Sequence, residues 1–64
     1  MIKVNGKEFP FSGTLGDLLK KEGYDNVARL AVEINGAIVP KAEYDKKTLR
    51  DGDSVEIVCF VGGG

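Results

Sequence analysis

The residues best suited to chemistry stand at the carboxyl end, where Gly62, Gly63 and Gly64 follow one another. Glycine has no side chain, so an extended run of it threads a narrow channel and leaves a carboxylate open to attack from every side. At an average glycine frequency of about 7%, two consecutive glycines close a chain by chance only about once in two hundred. The stretch ahead of them, Ser54 to Val61, alternates as a strand. Val55, Ile57, Cys59 and Val61 share one face, and Ser54, Glu56, Val58 and Phe60 share the other. A half-buried strand keeps its outer face polar, so Val58 and Phe60 break the pattern. Exposed apolar residues beside a flexible tail point to a docking surface. A strand covered on both faces, or a Phe60 folded back locally, is the structural alternative.

Other reactive groups read as structure. Cys59 has no histidine anywhere in the chain to serve it as a base and runs in phase with Val55 and Ile57, so it is expected to be a small buried apolar residue. Asp51 and Asp53 flank Gly52 and fit turn chemistry better than a metal or acid–base pair. Lys41, Lys46, Lys47 and Arg50 are interleaved with Glu43, Asp45, Asp51 and Asp53, which is the pattern of a solvated mixed surface. No glycine-rich phosphate loop opens a helix, so any ATP chemistry belongs to another protein.

Composition sets the outer bounds. Sixty-four residues make one small domain with a thin core. Nine basic and ten acidic residues leave a net charge of −1, without the basic excess of an electrostatic nucleic-acid binder. One cysteine and no histidine exclude an intramolecular disulfide and a zinc site of the usual ligands. No run approaches the ~18 apolar residues of a membrane span, and a cytoplasmic protein without membrane or nucleic-acid partners is expected.

The elements that must position this terminus are legible in outline. Ile2 and Val4 begin a strand, and Asn5-Gly6 is a strong two-residue hairpin signal. Glu8 to Phe11 is the expected return, with Pro10 inside it confining that strand to an edge. The first strand then keeps a vacant side, and the long last strand is the obvious occupant. Ser12-Gly13-Thr14 breaks the strand. Thr14 fits an N-cap, Asp17 suits the first turn, Leu15, Leu18 and Leu19 form one apolar stripe, and Gly23 fits the C′ position. Leu30, Val32 and Ile34 alternate up to a second Asn-Gly turn at 35–36, with Ala37 to Val39 returning. Lys41 to Lys47 reads as a loop or helical turn, and Thr48-Leu49 as a brief strand. The order predicts an α+β domain with one helix on one face of a mixed sheet.

Taken together these residues resemble the ThiS family of sulfur carriers. The likeness runs through Ile2-Lys3-Val4-Asn5-Gly6-Lys7, through Asn35-Gly36-Ala37-Ile38-Val39-Pro40-Lys41 with Tyr44, and through Leu49-Arg50-Asp51-Gly52-Asp53. It ends in Phe60-Val61-Gly62-Gly63-Gly64. The resemblance implies a ubiquitin-like β-grasp of four to five strands over residues 1–61, with its first and last strands parallel, followed by a flexible tail at 62–64. It implies a protein co-substrate with no bound cofactor and no catalytic residue. An E1-like partner would spend ATP to adenylate the carboxylate of Gly64, and a persulfide donor such as a cysteine desulfurase would convert it to a thiocarboxylate. Thiazole synthase would then accept the sulfur. Gly62 and Gly63 give the tail access, and Val58, Phe60 and Val61 form the inferred contact surface. A carrier for molybdopterin or another pathway, and a ubiquitin-like protein modifier, share this activation chemistry.

Overall fold

Both Asn-Gly pairs sit at hairpin bends. Asn5 and Gly6 have φ of 50° and 86°, and Asn35 and Gly36 have 52° and 86°, the two left-handed residues that a type I′ turn demands. The structure is a computed structural model that describes residues 1–60. Along the chain run β1 (Ile2–Val4), β2 (Lys7–Phe9), β3 (Gly13–Thr14), α1 (Leu15–Lys21), β4 (Leu30–Ile34), β5 (Ala37–Ile38), β6 (Thr48–Leu49) and β7 (Ser54–Cys59). Single 3₁₀ turns lie at Val27–Arg29 and Lys41–Glu43.

Five strands form one mixed sheet in the order β2-β1-β7-β4-β5. β7 fills the vacant side of β1 in parallel, with Lys3 opposite Ser54 and Val4 opposite Val55. β4 pairs antiparallel along its other side, from Leu30 opposite Cys59 to Ile34 opposite Val55. The last strand is thus the middle of the sheet. β2 is an edge as expected, but it ends at Phe9, so Pro10 follows the strand and does not lie inside it. A residue without an N–H stops the ladder there. Phe9 and Phe11 still stack, with ring centroids 6.2 Å apart. Gly13 and Thr14, expected only to break a strand, pair with β6 in a second small sheet.

That small sheet delivers the chain into α1. The Thr14 side chain accepts from the Asp17 N–H, and the Asp17 carboxylate accepts from the Thr14 N–H, a reciprocal capping box. The Leu15 and Gly16 N–H groups, orphans of the first turn, donate to the carbonyls of Lys47 and Tyr44, each at 2.8 Å. At the far end Gly23 takes φ +84°. The Tyr24 N–H reaches the Leu19 carbonyl and the Gly23 N–H that of Lys20, the paired bonds of a Schellman stop. Seven residues make too short a helix to stand alone. What holds it is the complete burial of Leu15, Leu18 and Leu19 against the sheet, each side chain contributing about 1.5–3 kcal/mol. Ile2, Leu30, Val32, Ile34, Val55 and Ile57 supply the sheet side of this core, and Val39, Tyr44 and Leu49 close its flank. Among the described residues no helix is long and apolar enough to cross a membrane.

Candidate functional site

The site suggested by the terminal residues is built on the end of β7. Alternation along β7 buries Val55 and Ile57 and turns Glu56 and Val58 outward, while β4 buries Leu30, Val32 and Ile34. Facing residues of an antiparallel pair share a side. Ala31 opposite Val58, and Glu33 opposite Glu56, therefore stand on the outer face. Ile38 lies opposite Glu33 from β5 and joins them. Val58 is 54% exposed, Phe60 58% and Ile38 74%. β7 is central in strand order, yet its outer side is bare. The covered-strand alternative is excluded, and so is a Phe60 folded into the core.

Cys59 departs from expectation. It follows Val55 and Ile57 in phase, but it is exposed. The reason lies in β1, which ends at Val4, so the flank of β7 beyond Ile57 loses its neighbour. The core stops at Ile57, and correct alternation no longer ensures burial. Val61, Gly62, Gly63 and Gly64 lie outside the described residues.

Two asparagine side chains hold β7 in place. Asn5 Oδ1 accepts the Ile57 N–H at 2.7 Å. At the strand's other end Asn35 Oδ1 accepts the Ser54 N–H at 2.9 Å, and Asn35 Nδ2 donates to Asp53 at 3.0 Å. Asp53 also accepts the Arg50 N–H at 2.8 Å. That last bond chiefly holds its carboxyl below the ordinary range; partial burial opposes it, while Asn35, Lys47 and Arg50 add to it. Asp51-Gly52-Asp53 is a turn, as its sequence suggests, and Gly52 takes φ +90°. The amino terminus pairs with the Asp51 carboxylate. No group of three or more metal-ligating side chains occurs among the described residues.

Sequence reading missed part of the outer face. Glu33 and Glu56 are like charges placed directly opposite each other, an arrangement that weakens a sheet. With Ala31 and Ile38 they extend the Val58–Phe60 patch. No local signal marks them, because their adjacency depends on β4 pairing with β7.

Comparison with known proteins follows the same outline. The model of the ThiS family matches residues 2–64. A sulfur carrier protein ThiS of Bacillus subtilis is 40% identical over 67 residues, covering the whole of both chains. A thiazole synthase of Paramagnetospirillum magneticum is 46% identical over 65 residues, spanning 98% of this chain but only 20% of that protein. The crystal structure of a thiamine biosynthesis protein, ThiS, from Geobacter metallireducens superposes with a TM-score of 0.81 at 33% identity. It covers 98% of this chain and 97% of that one.

Proposed function

The chain belongs to the ThiS family of sulfur carriers, and from that premise we propose that it bears sulfur as a thiocarboxylate on Gly64 for the thiazole ring of thiamine. The observation that carries this reading is the family match, which spans residues 2–64 and so takes in the terminal glycines. The protein is a co-substrate, and the catalysis belongs to its partners.

The chemistry accounts for the form of the molecule. A carboxylate resists nucleophiles because it is negatively charged and lacks a good leaving group. An E1-like adenylyltransferase supplies one. The Gly64 carboxylate attacks the α-phosphate of ATP, pyrophosphate departs, and the acyl-adenylate forms. A persulfide, furnished by a donor such as a cysteine desulfurase, attacks that acyl carbon and displaces AMP. A second thiol then cleaves the S–S bond, leaving a disulfide on the donor side and the thiocarboxylate on Gly64. Gly62 and Gly63 keep bulk away from the reacting carbon.

Thiazole synthase is the proposed recipient of the sulfur. One thiazole synthase carries a segment 46% identical to this chain within a fifth of its own length. Two functions joined in one polypeptide favour the same two functions meeting when they are separate. The exposed Val58 and Phe60, continuing into Val61, supply the apolar contact for these partners, with Glu33 and Glu56 favouring a basic rim opposite them.

The test is direct. The protein is incubated with the adenylyltransferase, ATP, cysteine and a cysteine desulfurase, and its intact mass is measured. Exchange of one oxygen for sulfur, confined to the C-terminal peptide, is the expected outcome. An unchanged mass under conditions that load the Bacillus subtilis carrier defeats the reading.

A further inference from the structure

We propose that the open flank of β7 from Ile57 to Phe60 is a docking edge, to which an extended segment of the adenylating enzyme adds as one more strand. This rests on Gly64 being the reacting residue. It adds how that residue is held: by backbone pairing, in a fixed line, through the strand that leads to it.

The hydrogen-bond pattern of β7 carries the argument. Even-numbered residues turn their backbone groups toward β4, where the Asn35 N–H meets the Ser54 carbonyl and the Phe60 N–H meets that of Arg29. Odd-numbered residues turn theirs toward β1, where the Lys3 N–H meets the Asp53 carbonyl and the Asn5 N–H meets that of Val55. The next rung differs. At Asn5 the chain bends into its turn with φ of 50°, and the side-chain oxygen of Asn5 takes the Ile57 N–H in place of a continued strand. Past this rung the carbonyl of Ile57 and both backbone groups of Cys59 face no strand among the described residues.

This flank lacks the usual protection. Folded proteins blunt a free edge with proline, lysine, a bulge or brevity. The outer edges here follow that practice: β2 is three residues long and ends against Pro10, and β5 is two residues long and is followed within two positions by Pro40. The flank of β7 instead carries Val58, Cys59 and Phe60, all exposed, and residues such as valine and phenylalanine favour strand pairing. Such an edge accepts an added strand through main-chain bonds.

Reach selects the occupant. Three residues stand between Phe60 and Gly64, so the two lie at most about 14 Å apart along an extended chain. An enzyme holding Gly64 in its site therefore brings its surface to this flank. Glycines offer only backbone groups for recognition, so strand pairing is the means of alignment open to them.

The test isolates one N–H. Cys59→Pro removes that donor while leaving the bonds to β4, which are made by even-numbered residues, and Val58 is already extended as proline requires of its predecessor. Cys59→Ser keeps the donor and changes the side chain. Calorimetry with the cognate adenylyltransferase is expected to show about tenfold weaker binding for the proline variant and none of that loss for serine. Amide exchange on the wild-type protein gives an answer that does not depend on the variant folding. The Cys59 amide should exchange quickly alone and become protected in the complex, whereas Ile57 should be protected in both. Equal binding by both variants, or a Cys59 amide that stays unprotected in the complex, overturns the docking edge and leaves the sulfur-carrier reading standing. Protection that arises without the enzyme, in a dimer seen by sedimentation, overturns it in favour of a second copy. An adenylyltransferase that does not bind the wild-type protein overturns both.

Discussion

At Asp53 a single carboxylate closes the turn before β7 and ties it to the second hairpin, accepting from the Arg50 N–H and from Asn35 Nδ2. Its pKa lies below the ordinary value, chiefly because of the Arg50 bond. A carboxyl so lowered stabilises the fold fully above the unfolded value of about 3.9, and this contribution is lost as pH falls through the lower folded value. Asp53→Asn should therefore destabilise the protein more at neutral pH than at a pH well below the unfolded value. Urea midpoints at the two pH values check this. Phe60 poses the opposite case, since it is 58% exposed and lies outside the core. Phe60→Ala should leave melting nearly unchanged, within about 0.5 kcal/mol. Affinity for the adenylyltransferase should drop by about thirtyfold, as for an aromatic anchor at an interface. Calorimetry and a melting curve on the same sample separate the two effects. Residues of the first kind are legible as turn chemistry. The exposure of Phe60 and of Cys59 is not, because alternation tells which face a side chain takes and not whether anything covers that face.

Among the elements, α1 shows how local signals and distant partners divide the work. Thr14, Asp17 and Gly23 mark its start and stop, and all three act as their types suggest. Thr14→Ala removes a cap worth about 1 kcal/mol, which in a domain this small lowers Tm by about 4–8 °C. Thermal denaturation followed by circular dichroism measures it, and Thr14→Ser should restore most of the loss. The carbonyls of Lys47 and Tyr44 that receive the first N–H groups of the helix come from about thirty residues further along the chain, and nothing near Leu15 announces them. The asparagine turns show the same division. Asn5 and Asn35 are recognisable as turn formers, but their second task, binding β7 at each end, exists only once the strand lies between them.

For the molecule as a whole, the burial that stabilises the fold and the proposed chemistry occupy different parts of the chain. The core is formed by residues from Ile2 to Ile57, and the proposed reacting group is at residue 64. Gly64→Ala should therefore leave circular dichroism and Tm unchanged while impairing adenylation or sulfur loading, read by intact mass after incubation with the partner enzymes. A large melting shift would contradict the separation. Placing β7 at the centre of the sheet gives that separation a mechanical basis. Near its start β7 is paired with β1 on one side and β4 on the other, so the strand that leads toward the glycines is rooted in the middle of the sheet.

The sequence by itself determined the elements whose cause is local: both Asn-Gly bends, the capped helix and its apolar stripe, and the alternation of β4 and β7. It even marked the last strand as the neighbour of the first, because the edge position of β2 left β1 half unpartnered; that the two run parallel was implied by the family resemblance. Tertiary structure alone decided which face of β7 is bare, where the core stops along it, and that Glu33, Ala31 and Ile38 share its outer side. Those facts depend on the lengths of neighbouring strands and on which strand lies beside which. β1 ends at Val4, and that one length leaves Cys59 in solvent and the flank beside it open.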